Sequence, residues 1–237
     1  MLKAAIEKLV SLKDNKIYEI EGRNYSDNDL VLVEAPRYAP STITVNGISS
    51  ITELIKTEIE KLNAPLFVEV EAYNKIGVYS TYDDRMKRQH VYEAVSDVPR
   101  FEFGWKEHNA AMISFRSQFI QNEGVDYILD LLAKITNDNS VSTEDNGLSQ
   151  QVEVRQGIAL KAKQTVKPII KLTPYRTFLE IEQPESEFLL RLDEDGRIGL
   201  FEADGGMWKL EAKKRIALEL NCRLEELITA GKVVVMF

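Results

Sequence analysis

The stretch "TPYRTFLEIEQPESEFLLRL", Thr173–Leu192, decides how the second half of the chain is read. It places Arg176, Glu180, Glu182, Glu185, Glu187 and Arg191 inside what otherwise reads as two apolar strands joined by a turn. Tyr175, Thr177, Leu179 and Ile181 alternate along the first half, and Phe188, Leu190 and Leu192 along the second. The pattern predicts a hairpin with one buried face. Strand alternation would then send Glu180 and Glu182 to the solvated face together, where hydration accounts for them better than acid/base catalysis does.

Downstream, "LDEDGRI" reads as a tight turn with Gly196 at its tip, because it lacks the alternating oxygen ligands and distal glutamate of a calcium loop. In "EADGGMWKLEAKK", Asp204 caps a helix and Gly205 and Gly206 form the turn before it. That helix runs on with Leu210, Ile216, Leu220, Leu224 and Leu227 on one face, placing Cys222 toward its apolar side. "KVVVMF" then reads as a buried strand.

Upstream, Leu2, Ile6, Leu9 and Val10 have helical spacing, and "KIYEIEGRNYS" and "DLVLVEAP" read as strands around a turn at Glu21–Asn24. "NGISSITELIKTEIEKLNAP" predicts a helix with a capping box at Ser50 and Glu53 and a stripe of Ile51, Leu54, Ile55, Ile59 and Leu62. "LFVEVEAYNKIGVYSTY" and "HVYEAVSD" supply three strands, and "FEFGW" an aromatic cluster. "EHNAAMISFRSQFI" and "VDYILDLLAKI" supply two helices, and "TNDNSVSTEDNGLSQ" a hairpin tip. Strands and helices are mixed without regular alternation. The fold class is therefore α+β, with mixed, largely antiparallel sheets and about four to five helices. Two readings of domain organisation fit: an N-terminal α+β region at 1–136 with a strand-rich region at 137–237 ending in a helix and strand, or a single domain.

Composition bounds what the chain can be. At 237 residues, 44% apolar and 29% charged, it has the make-up of a globular protein. One cysteine, Cys222, excludes an intrachain disulfide and a cysteine-built zinc site, which fits a reducing cytoplasm. No run approaches the roughly 18 apolar residues of a membrane span, so no membrane partner is expected. His90 and His108 have no metal-ligand spacing, and there is no glycine-rich phosphate loop and no nucleophile elbow. The reading leans away from an enzyme and expects neither cofactor nor metal.

The most distinctive charge feature lies between Val154 and Leu179, where no Asp or Glu occurs. Arg155, Lys161, Lys163, Lys167, Lys171 and Arg176 place six positive charges there, in a chain whose total is −8. The first five stand at odd positions, so one continuous strand would align them on a single face. With Tyr175 available for stacking, this set is the candidate site for phosphates of a nucleotide or nucleic acid. The bland alternative is the solvated side of edge strands, where lysine discourages aggregation.

The succession "EDNGLSQQVEVRQGIA", "LTPYRTFLEIEQPESEFLLRL" and "LFEADGGMWKLEA" resembles uncharacterised proteins encoded by bacteriophages and prophages, particularly of Gram-positive hosts, of a domain-of-unknown-function type. "PSTITVNGISSITELI" followed by "FEFGWKEHNAAMISFRSQFI" extends the resemblance upstream. It implies phage origin and expression in the bacterial host cytoplasm, and carries over no catalytic residues. The expectation is a non-enzymatic, self-associating accessory protein of host takeover or counter-defence that binds an anionic ligand or a host protein. The alternatives are a nucleic-acid-binding protein of phage replication or recombination, a nucleotide-processing enzyme, or a virion assembly protein.

Overall fold

A computed structural model describes residues 3, 16–26, 41–62, 64–83, 86–134, 140–145, 150–156 and 159–237. The chain forms two compact units, Met1–Ser41 and Thr42–Phe237. Within the first, β1 (Ile17–Ile20) and β2 (Arg23–Ser26) pair antiparallel. Glu21 and Gly22 join them with φ of 50° and 75°, the doubly left-handed pair that a two-residue hairpin turn requires. The helix expected before this hairpin falls, Lys3 apart, outside the described residues, as does the strand expected at "DLVLVEAP".

The second unit is α+β. Its five-stranded sheet takes β3 (Ile43–Val45), β4 (Leu66–Ala72), β5 (Lys75–Tyr79), β6 (His90–Val95) and β14 (Val233–Met236) in the order β14-β4-β5-β6-β3. The central pairings are antiparallel, and the two edge strands run parallel to their neighbours. Val68, Val70, Ile76 and Val78 alternate onto one face. That face packs against Ile48, Ile51 and Ile55 of α1 (Ile48–Glu58) and Ile216 and Leu220 of α4 (Met207–Arg223).

A four-stranded sheet has the order β11-β12-β13-β7, from β7 (Gly104–Lys106), β11 (Ile169–Leu172), β12 (Ser186–Leu192) and β13 (Ile198–Glu202), all antiparallel. Its apolar face meets α2 (His108–Ser117) and α3 (Glu123–Lys134) in a second core built around Phe101, Phe115, Phe119, Ile128, Leu132 and Phe188. A three-stranded sheet, β10-β9-β8, comprises β8 (Ser140–Asp145), β9 (Gln150–Gln156) and β10 (Ala159–Val166). The stretch "TNDNSVSTEDNGLSQ", expected as a hairpin tip, contributes Ser140–Asp145 as the strand β8, which pairs antiparallel with β9. Gln150 leads from it into the second core: its buried amide donates to the Leu192 carbonyl at 2.5 Å and accepts from the Leu192 N–H at 2.9 Å. A boundary near residue 136 is crossed by both larger sheets, since β7 pairs with β13 and β4 with β14.

The quoted stretch departs from its prediction. Ser186–Leu192 is the expected strand, whereas Thr173–Glu185 forms no strand and returns through a turn at Leu179 and Glu180. Leu179 is 65% exposed, while Thr177, Phe178 and Ile181 are buried. The physical reason is a competing set of backbone partners. Gln183, 4% exposed, accepts from the N–H groups of Arg176 and Thr177 at 3.1 and 3.2 Å and donates to the carbonyls of Phe178 and Ile181 at 2.9 and 3.2 Å. One side chain thus satisfies four backbone groups that a strand would pair with a neighbour. Phe178 and Ile181 enter the core of the five-stranded sheet, and Phe188 enters the other.

Glu180 and Glu182 consequently do not share a strand face. The Glu180 carboxylate reaches the start of α1, accepting from the Ile48 and Ser49 N–H groups at 2.7 Å each. The expected capping box is replaced: the residue at the cap is Gly47, with no side-chain bond of its own, and the cap comes from far along the chain. A Cβ on Gly47 would stand 3.0 Å from the Glu180 carboxylate, so a larger residue there would have to push that carboxylate back. Glu182 pairs with Arg215 at 3.2 Å in the open, 83% exposed.

Three further expectations change at the C-terminal end. Leu210 is 48% exposed, and the buried stripe of α4 runs instead through Trp208, Ala212, Ile216 and Leu220. Cys222 is exposed rather than in the core. β14 is an edge strand of the sheet among the described residues, with Val233 buried and Val235 partly buried against the core while Val234 and Met236 are exposed. Asp204 behaves as expected, accepting from the Gly206 and Trp208 N–H groups at 3.0 and 3.4 Å.

Candidate functional site

The basic segment runs through three strands of two sheets, so its five odd positions do not line one strand. Arg155 lies in β9, and Lys161 and Lys163 in β10, whose side chains fall outside the described ones. In backbone register Lys163 stands opposite Glu153, and Lys161 falls at the irregularity between Leu160 and Ala162. Lys167 follows β10, and Lys171 lies in β11.

Lys167 and Lys171 meet again at an open groove of about 400 Å3, together with Asn122, Gly124 and Tyr127 from the start of α3. The Tyr127 hydroxyl accepts from the Lys167 N–H at 3.0 Å, and the Lys167 ammonium lies 4.8 Å from the Tyr127 ring centre. Asn122 caps the helix through Val125 N–H at 3.0 Å. Glu123 and Glu185 also line the groove. The Lys171–Glu185 pair is loose, 3.9 Å apart with side chains 63% and 53% exposed, so water screens it heavily. The groove sets two ammonium groups and two carboxylates beside the positive end of a helix.

Tyr175 and Arg176 are turned to other places. Tyr175 borders a shallow hollow with Asp97, Val98, Pro99, Ser117, Gln118 and Leu179. Arg176, 6% exposed, is buried. Its guanidinium donates to Glu202 at 3.3 Å, to the Pro184 carbonyl at 3.1 Å and to the Ser186 hydroxyl, and lies 3.8 Å over the Trp208 ring. Burial brings its pKa down to about 10 against the opposing pull of Glu202 and Asp204. These contacts clamp the Thr173–Glu185 loop to β12, β13 and α4. Of the seven candidates, only Lys167 and Lys171 have described side chains that share a pocket.

Two clusters have no counterpart in the sequence reading. On one face of the five-stranded sheet, Lys75 bridges Glu93 at 2.7 Å and Glu71 at 3.1 Å, and the Tyr79 hydroxyl donates to Glu71 at 2.6 Å. Hydrogen bonding to Glu93 and Glu71 raises the Lys75 pKa well above the lysine range, and the bond to Glu71 together with burial pushes Tyr79 up to about 12. His90 stacks on Tyr79 with ring centres 4.9 Å apart. Both carboxylates take bonds from Lys75, and Glu71 a further one from Tyr79, which suits a structural network; the cluster keeps one net negative charge, and the buried His90 Nε2 has no partner among the described residues.

The second cluster surrounds the Trp208 ring. Tyr73 meets it edge to face at 4.7 Å, Arg100 lies 5.7 Å from the Tyr73 ring centre, and the Lys209 ammonium lies 5.8 Å from the Trp208 ring. Only the aromatic runs "FEFGW" and "GGMWK" hinted at it, since its members come from four separated segments. Among the described residues no group of three or more histidine, cysteine or carboxylate side chains is placed to hold a metal ion, and no helix is long and apolar enough to cross a membrane. Comparison with protein-family models, curated proteins and solved structures finds no match.

Proposed function

We propose that this chain is a non-enzymatic accessory protein of bacteriophage origin that binds the phosphates of a nucleotide or nucleic acid at Lys167 and Lys171, in host takeover or counter-defence. The observation that carries the reading is the convergence of these two lysines on the N-terminal end of α3 within one groove. A phosphate there would replace the loose Lys171–Glu185 pair and gain both the ammonium charges and the helix dipole. Its two lysines, with Asn122 and Tyr127 beside them, supply charge and hydrogen-bonding groups for holding a phosphate.

Binding of fluorescent mononucleotides and of a single-stranded oligonucleotide, measured at low salt, tests the reading. The double variant Lys167→Glu, Lys171→Glu is expected to abolish binding while leaving the fold intact by circular dichroism. An oligonucleotide should bind with a salt slope that falls by roughly one unit for each lysine removed. Absence of binding at low salt, or binding unchanged in the double variant, would sink the proposal.

A further inference from the structure

A cavity beside Trp208 lies apart from the lysine groove. Tyr73, Arg100, Phe101, Phe103, Pro174, Arg176 and Trp208 enclose about 70 Å3. That is several times the roughly 10–15 Å3 one water needs, yet well below the roughly 300–1,000 Å3 of a pocket for a drug-sized ligand. A nucleoside does not fit this space; a carboxylate on a short hydrocarbon stem does.

The polar side chains lining the cavity are Tyr73, Arg100 and Arg176, and behind them the Glu202 carboxylate accepts from Arg176 at 3.3 Å and from the Trp208 indole N–H at 2.9 Å. After Glu202, Pro184 and Ser186 have taken the terminal nitrogens of Arg176, its Nε is left buried with no acceptor. Among the described residues, neither Arg100 nor Lys209 has a carboxylate within ion-pair distance, and the Tyr73 hydroxyl has no hydrogen-bond partner. The positive charges of Arg100 and Lys209 are set against aromatic faces instead. Phe101, Phe103, Pro174 and the Trp208 ring supply apolar walls. Surplus donors around an apolar hollow match an anion with an apolar stem, and they reject a metal ion or an amine.

We infer that this cavity binds a monocarboxylate, its anionic head held by Arg100 and the Tyr73 hydroxyl at the mouth and its stem against Phe101, Phe103 and Trp208, above the Arg176 guanidinium. The carboxylate belongs either to a free short-chain acid or to the terminus of a peptide with an apolar last residue. The site shares no residue with the Lys167–Lys171 groove, so either can fail without the other.

Trp208 provides the readout. In a Trp105→Phe background, butyrate titrated at constant ionic strength should change Trp208 emission saturably, and butyramide should not. Arg100→Ala should weaken butyrate about tenfold or more, since it removes a charge-assisted bond, and Arg100→Lys should recover part of the loss. A tripeptide ending in valine, compared with its C-terminal amide, distinguishes the two sources: tighter binding of the acid peptide than of butyrate identifies a chain terminus, and the reverse a free acid. No saturable response to any carboxylate, equal responses to butyrate and butyramide, or unchanged affinity in Arg100→Ala would each overturn the inference. Melting temperature monitors the fold of every variant.

Discussion

Along Ser186–Leu192 alternate side chains are buried and the backbone is paired on both sides, by β11 and by β13. Along Thr173–Glu185 the same mixture of apolar and charged residues forms a loop, bridged by backbone to Gln118–Ile120 at its start and held beyond that by Gln183, Glu180 and Arg176. The two halves have similar composition and differ in what satisfies the main chain. In the strand, side chains are free to pack and the backbone looks after itself; in the loop, three polar side chains are committed to backbone groups, and Phe178 and Ile181 are carried into the other core as a result. Polar residues in an apolar stretch can therefore be structural wiring rather than a solvated face.

Variants in the two halves should break this contrast in different ways. The largest effect is expected in the strand, where Phe188→Ala should cost about 3–5 kcal/mol in urea unfolding, through the cavity it leaves in a core that also holds Phe101 and Phe119. Gln183→Ala should follow at about 2–4 kcal/mol, although it removes little apolar area, because the Arg176 and Thr177 N–H groups and the Ile181 carbonyl lose Gln183 as partner and the Phe178 carbonyl keeps only a 3.4 Å bond from the Ile181 N–H. A Gln183 effect below that of an ordinary surface change would show that the loop does not depend on this side chain.

Glu180→Gln should be the smallest, about 1 kcal/mol at neutral pH, and should carry a pH signature. Burial pushes the Glu180 carboxyl up, but the Ser49 and Ile48 N–H groups, the Ser49 hydroxyl and the nearby Arg223 charge outweigh it and hold the pKa below the usual glutamate range. A lowered folded pKa means that the stabilisation is present above the unfolded value and disappears as pH falls through the folded one. The stability curves of wild type and variant should therefore converge in acid. Parallel curves down to the lowest pH would remove Glu180 from the acid sensitivity of the fold.

These contrasts also explain what the sequence could reveal. The α+β class, the α1, α2 and α3 helices, the paired strands β4 and β5, the Asp204 cap and the Gly196 turn all follow from short-range rules, namely periodicity, capping and turn residues. The misread features depend on partners distant in the chain. Ser50 and Glu53 have capping-box spacing, but the acceptor at the start of α1 comes from Glu180, and no local pattern announces it. Leu210 fits the helical stripe by spacing and is nonetheless exposed, because the packing face of α4 is centred on Trp208, Ala212 and Ile216. The candidate site fared similarly: charge counting grouped Lys167 and Lys171 with Arg176, whose burial only the tertiary structure reveals. The cage around Trp208 joins residues from four parts of the chain, and the aromatic runs "FEFGW" and "GGMWK" mark only two of them.

The reach of Glu180 to Ile48 and Ser49 has a consequence for how the protein opens. The first amides of a helix ordinarily fray, because nothing inside the helix accepts from them. In α1 two of those amides belong to a carboxylate mounted on the Thr173–Glu185 loop, and Arg223 of α4 donates to the Ser49 hydroxyl at 2.8 Å. The start of this helix is thereby enrolled in the same cooperative unit as the loop and α4. Hydrogen exchange at Ile48 and Ser49 is then gated by the undocking of that loop rather than by local fluctuation, and a helix end becomes a reporter on events more than a hundred residues away.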